Sequence, residues 1–242
     1  MDSNKRTRIS PLAYARTAGL LYLLLLPLGV FGMFYVPSIV IVPGDAAATA
    51  GKIMASESLF RLSIVTALLV QVVNILVVLL LFQLLKPVDK KTASLMVIFL
   101  LVGVPIAMLN ELNKFAILLL VSGAPYLKVF TADQLQALIP LFLDLHQHGI
   151  NIAGIFWGLW LLPMGYLVFK SGFLPRVLGV LLIIGCLGYL IDSAAFFLLP
   201  RLHVSIAQFT FLGEVLLPLW LLIKGVNVEH WKGHDSAKQV SS

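Results

Sequence analysis

The sequence predicts an all-α protein: a polytopic bundle of six transmembrane helices, both termini cytoplasmic, with a short interfacial helix in the first outer loop. Three observations predict it. Apolar residues make up 60% of the 242 and charged residues 12%, with a mean hydropathy of +1.01, whereas a soluble domain runs near half apolar and a quarter charged. Several stretches stay apolar over the roughly 20 residues that a helix needs to cross a bilayer. Lys and Arg are rich and poor in alternate loops, the pattern that orients a bundle.

The chain opens with a basic tail, residues 1–16, carrying Lys5, Arg6, Arg8 and Arg16. The apolar run that follows, about Thr17–Val42, is too long for the roughly 7–15-residue core of a cleaved signal peptide. It reads as a retained first span. Pro43-Gly44 is a turn, and Asp45 is placed to cap a short helix over Ala46–Ala55. Ser56 then caps the second span, about Leu59–Leu85, with Glu57 in its first turn. The third span is about Ala93–Val121, with Pro105 inside it. The fourth, about Leu138–Phe169, is long enough to tilt or to kink at Pro163. Ser171-Gly172 ends it and Pro175 starts the fifth, about Leu174–Leu199, the usual asymmetry of C-terminal Gly and N-terminal Pro. The sixth is about Val204–Ile223, with Pro218 near its end. Residues 17–225 thus form the membrane domain. Residues 226–242 read as a polar cytoplasmic tail, disordered from His234 onward.

The loops set the orientation. Lys86, Lys90 and Lys91 mark the second connection, Lys170 and Arg176 the fourth, and Lys224, Lys232 and Lys238 the C-terminal segment. Lys52, Lys128 and Arg201 are the sparse counterparts in the other loops. The net charge of +6 therefore belongs to helix ends that meet lipid headgroups, and nucleic acid is not an expected partner. Cys186 is the single cysteine, so no disulfide forms within the chain, and it reads as a small packing residue. No three-plus-three internal repeat of the kind common in transporters is visible.

Ionisable groups inside a span are costly unless paired or wetted, so each is a functional candidate. Glu111 and Lys114 in the third span are i, i+3 neighbours and can neutralise each other. Asp144, His148 and Asn151 in the fourth share one face at i, i+4, i+7, continuing into Gly154 and Gly158; His146 points away from it. Asp192 in the fifth shares a small-residue face with Gly185, Gly188 and Ala195. Glu214 in the sixth shares a face with His203 and Thr210. Gln71 and Asn74 of the second span can join from below. At 1.5 Å per residue, all seven candidates (Glu111, Lys114, Asp144, His148, Asn151, Asp192, Glu214) fall roughly 10–20 Å below the outer ends of their helices. Two readings stay open for the Glu111–Lys114 and Asp144–His148 pairs: packing-fixing polar contacts, or parts of a ligand site. For Asp192 and Glu214, which have no adjacent base, the functional reading leads. Trp157, Trp160 and Trp220 read as packing residues or interface anchors.

A zinc site is the weaker alternative. Asp144-x-His146-x-His148 has suitable ligand types, but i, i+2 spacing does not converge on a helix. Asp144 and His148 would need Asp192, Glu214 or His203 to complete a set. No helical zinc motif or phosphate-cradling Gly loop occurs.

Several runs resemble a known family. They are Pro43-Gly44-Asp45-Ala46 with Thr49; Leu59-Phe60-Arg61; the run from Gly158 to Leu167; Ser171-Gly172-Phe173-Leu174-Pro175-Arg176; and Gly188-Tyr189-Leu190-Ile191-Asp192-Ser193. Together they resemble the bacterial membrane family catalogued as domain of unknown function 4386, over nearly the whole chain. The resemblance implies a multi-pass bacterial membrane protein and carries no catalytic assignment; the expected location is the bacterial cytoplasmic membrane. The expected function is binding or transport of a small solute, ion or lipid headgroup in a polar cavity in the outer half of the bundle. A metal-dependent intramembrane hydrolase and an accessory subunit without ligand are the alternatives.

Overall fold

The computed structural model describes residues 10–199 and 205–240, without the side chains of Asp235 and residues 237–240. The expectations that involve His203, Arg201 or the basic residues before Ser10 lie outside them. Every regular element among the described residues is helical. In order they are α1 (Pro11–Val30), a π-helical turn (Phe31–Tyr35), α2 (Val36–Val40), α3 (Ala46–Ala55), α4 (Glu57–Leu85), α5 (Lys90–Asn110), α6 (Leu112–Val121), a 3-10 turn (Pro125–Leu127), α7 (Ala132–Leu159), α8 (Leu161–Lys170), α9 (Arg176–Leu198), α10 (Ala207–Thr210), α11 (Leu212–Ile223) and α12 (Val228–Val240).

Among the described residues, five helical runs are long and apolar enough to cross a membrane: Pro11–Val40, Glu57–Leu85, Lys90–Val121, Ala132–Lys170 and Arg176–Leu198. Ala207–Ile223 makes a sixth only when joined to Val228–His234, from which it bends by 104°. The protein is thus a bundle of five to six candidate spans. Proline explains several of the irregularities, because it leaves the carbonyl four residues back without its donor. Pro27 precedes the π turn, and Pro218 leaves the Glu214 carbonyl without its N–H.

Contacts divide the chain into two units. One contains residues 24–73 and 102–154. Its core is Val36, Val40, Ala50, Ile53, Phe60, Ile64, Ile117, Leu118 and Ile139. The short helix α3 supplies Ala50 and Ile53 to that core, against the end of α2, the start of α4, the end of α6 and the first turns of α7. The expected short helix is therefore present, with the expected bounds. Asp45 Oδ1 accepts from the Ala48 N–H at 2.8 Å, which satisfies one of the free donors at its N-terminus. Thr49 Oγ1 donates to the Asp45 carbonyl at 2.8 Å, tying the same turn.

The other unit contains residues 1–23, 74–101 and 155–242. Glycines set its helix spacing. A Cβ on Gly165 would fall 2.7 Å from the Gly179 carbonyl, and one on Gly213 2.8 Å from the Leu182 nitrogen. A Cβ on Gly188 would strike Thr210 Oγ1. The small face of α9 predicted from sequence therefore receives α10 and α11. Gly172, at φ +66°, ends the α8 segment in the left-handed conformation.

The C-terminal segment departs from the expected tail. Residues 228–240 are helical. Gly225, at φ +69°, turns the chain, and its N–H reaches the Trp220 carbonyl at 3.0 Å. The Asn227 N–H donates to the Phe173 carbonyl at 3.3 Å, and Trp231 Nε1 donates to the Leu84 carbonyl at 2.8 Å. The segment orders because these donors meet carbonyls at the ends of neighbouring helices, which local composition does not reveal.

Candidate functional site

Among the described residues two polar centres stand out, one in each unit. The first is built at the break between α5 and α6. Glu111 interrupts the helix there, its N–H reaching back to the Met108 carbonyl at 3.3 Å. Its carboxylate meets two groups. His146 Nε2 of α7 lies 3.0 Å from Oε1, and Lys114 Nζ lies 3.1 Å from Oε2. The Lys114 contact is an ion pair off the axis of a good hydrogen bond, since no aligned donor reaches Oε2. The three side chains are 4%, 8% and 14% exposed for Glu111, Lys114 and His146. At that depth a lone charge would cost several kcal/mol, so carboxylate and ammonium hold each other there.

Asparagines complete the frame. Asn110 Nδ2 donates to the His146 carbonyl at 2.9 Å, and Asn113 Nδ2 donates to Asn110 Oδ1 at 2.9 Å. Gly149 makes this possible: a Cβ there would lie 2.0 Å from Asn110 Oδ1.

The other residues of α7 fall differently from the sequence reading. His146, expected to point away from the polar face, is the residue against Glu111. Asp144 and His148 are exposed and Asn151 is half-buried. His148 Nδ1 lies 2.7 Å from the Asp144 carbonyl, and Asn151 Nδ2 donates to the Gln147 carbonyl at 2.9 Å. The cause is the apolar stripe of α7. Ile139, Phe142, Leu143, Gly149, Ile150 and Ala153 are among its buried and half-buried positions, at helical spacing. His146 lies within that stripe, and Asp144 and His148 lie outside it. Gln71, also in this unit, is 5% exposed, and its Oε1 has no partner.

The second centre brings together α1, α9, α11 and the junction of α7 with α8. The Tyr22 hydroxyl donates to Glu214 Oε2 at 3.2 Å. The phenol of Tyr189 faces the same carboxylate. The Trp160 ring packs on Tyr22 at 5.8 Å between centroids, tilted by 46°. Oε1 of Glu214 is shut off from solvent without a hydrogen-bond partner. The groups placed against this carboxylate are phenols, and no basic side chain is among the described residues that face it. Glycines again set the approach. A Cβ on Gly19 would fall 2.7 Å from the Pro218 carbonyl, and one on Gly158 2.8 Å from Tyr189 Cβ. Glu214 lies seven residues beyond Ala207, about 10 Å along the helical path.

Asp192 belongs to the same unit and does a different job. Its Oδ1 accepts from the Ile206 N–H at 2.6 Å and its Oδ2 from the Ala207 N–H at 2.8 Å. Both oxygens thus anchor the start of α10, where free donors and the helix dipole favour a carboxylate. Asp192 positions the last apolar segment. Among the described residues, no three His, Cys, Asp or Glu side chains come together as a metal site. His230 and His234, on α12, line an open groove of about 410 Å³ with Ser171, Gly172, Glu229 and Gly233.

An all-helical bundle of long apolar helices, with buried carboxylates at helix breaks, defines a multi-pass membrane protein. The profile of the family described as domain of unknown function DUF4386 matches residues 17–225, and the chain belongs to that family. It is 33% identical over 164 residues to an uncharacterized protein of Archaeoglobus fulgidus, covering 67% of this chain and 83% of that one. No solved structure matches.

Proposed function

We propose that this membrane protein binds or transports a small polar solute, ion or lipid headgroup held by groups within its helices. The observation that carries this reading is Glu214. A carboxylate among apolar helices costs several kcal/mol unless it is compensated, and here two phenols face it while one oxygen has no partner. Such a group has little value for folding alone. The test is a thermal-shift screen of the purified protein against metal ions, amino acids, amines and lipids. Saturable stabilisation by one of these classes supports the reading, and a flat response to all of them contradicts it.

A second reading is an accessory subunit whose polar groups only satisfy one another. The His146–Glu111–Lys114 cluster favours it, because acid, base and amides are mutually engaged there. On that reading, alanine changes lower stability and alter no ligand response. No grouping of described residues supports the hydrolase alternative.

The orientation we propose has both termini in the cytoplasm of a cell whose cytoplasmic membrane holds the protein. Support comes from one end of the unit that contains residues 74–101 and 155–242. There the Trp231–Leu84 and Asn227–Phe173 bonds, with the Gly225–Leu12 approach, gather the α1 start, the α4 end, the α8–α9 turn and the α11 end. Those ends carry Arg16, Lys86, Lys170, Arg176 and Lys224, as a cytoplasmic face requires.

A further inference from the structure

We propose that the Glu214 centre recognises an organic ammonium group, the charged head of a protonated or quaternary amine. This rests on the solute-binding reading above and names its ligand class. Three features of the site select that chemistry.

The first is charge. Glu214 is a carboxylate with no basic side chain among the described residues that face it. Asp192 stands three residues from Tyr189 on the same helix, adding a second negative group nearby. An anion is therefore repelled, and a cation supplies the missing compensation.

The second is the wall. Tyr22 and Tyr189 face the carboxylate, and Trp160 packs on the Tyr22 ring at 5.8 Å. Aromatic rings lining such a site attract a soft, weakly hydrated cation where water is excluded. A hard cation such as calcium takes 6–8 oxygens, and this site offers one carboxylate and two phenols. An alkylated ammonium matches an acid with aromatic walls better than a bare metal ion does.

The third is access. Tyr22 and Trp160 are 5% and 2% exposed and form the closed side. Tyr189 and Glu214 are half-buried. Oε1 of Glu214 is closed to solvent and has no hydrogen-bond partner, so it is the acceptor that an ammonium meets once the half-buried side of the site parts.

The same ammonium chemistry comes from two sources, a free small amine or the headgroup of a choline lipid. The experiment separates them. The full-length protein is placed in nanodiscs of phosphatidylglycerol and titrated with choline and with its uncharged isostere 3,3-dimethyl-1-butanol, reading Tm and tryptophan fluorescence. The expected result is a saturable rise in Tm of about 2 °C or more with choline and none with the neutral alcohol. Glu214→Gln should weaken choline binding at least about tenfold, equivalent to 1.4 kcal/mol. Glu229→Gln, which removes an exposed acid of α12, should leave it unchanged. Repeating the titration in phosphatidylcholine nanodiscs assigns the source. Loss of the choline response there identifies the lipid headgroup, and an undiminished response identifies a free amine. An equal response to choline and to the neutral alcohol overturns the proposal on the wild-type protein alone, whatever the variants do. So does a choline response that survives Glu214→Gln. If choline fails while another solute class stabilises the protein, the ammonium assignment falls and solute binding stands. If every class fails, both fall.

Discussion

Gly149 occupies a position where a methyl group would lie 2.0 Å from the Asn110 amide oxygen. Gly149→Ala should therefore cost about 1–3 kcal/mol through overpacking, read as a lower Tm in detergent. The ion pair it helps to enclose makes a sharper prediction. Glu111→Ala leaves the Lys114 ammonium buried without its counter-charge and should cost about 3–5 kcal/mol. Adding Lys114→Met should recover most of that loss, because an apolar pair of similar volume satisfies a buried site about as well. A double variant no more stable than Glu111→Ala would contradict the pairing. At this scale the sequence identified the charged residues and misjudged one partner. Asp144 and His148 attract attention as an i, i+4 pair of suitable chemistry. The apolar stripe from Ile139 to Ala153 decides which face of α7 is buried, and His146 is the polar residue within it. Reading hydrophobic spacing before polar spacing would have found it. Tyr22 and Tyr189 gave no such signal, since their meeting at Glu214 depends on how α1, α9 and α11 pack.

The helices divide by what their own sequence contains. The short helix α3 was legible to its end residues, because Pro43-Gly44 turns the chain and Asp45 caps the first turn. Asp45→Ala should cost about 1 kcal/mol, seen as earlier loss of structure in thermal melts. The helix α12 was not legible. Its composition is polar, and its order comes from tertiary bonds such as Trp231 to the Leu84 carbonyl. Trp231→Phe keeps a ring and removes that donor, and should loosen α12 by about 1 kcal/mol. Faster amide exchange over residues 228–240 than in wild type is the expected readout. Asp192 shows a role that spacing alone does not give. Its carboxylate holds the Ile206 and Ala207 amides, which follow it by 14 and 15 residues. Asp192→Ala should free two donors and cost about 1–3 kcal/mol.

For the molecule as a whole, composition settled the class. Hydropathy over spans near 20 residues admits few alternatives, and the structure and the family match agree with it. The last apolar segment was the least legible, since Ala207–Ile223 is short and bends away after Gly225. The division of the chain into two units was not legible at all, because both units draw residues from distant parts of the sequence. Sidedness has its own test: a reporter fused after Ser242 should be active only in the cytoplasm, and external activity would contradict the proposed orientation. The central claim is that Glu214 serves a ligand and not the fold. A side-by-side thermal-shift profile of wild type and Glu214→Gln, over the same panel of solutes, tests it most directly. The account predicts that the variant without solute is at least as stable as wild type, because an uncompensated carboxylate has been removed. It also predicts that a solute which stabilises wild type leaves the variant unmoved. A variant that melts lower and responds to every solute as wild type does would contradict it.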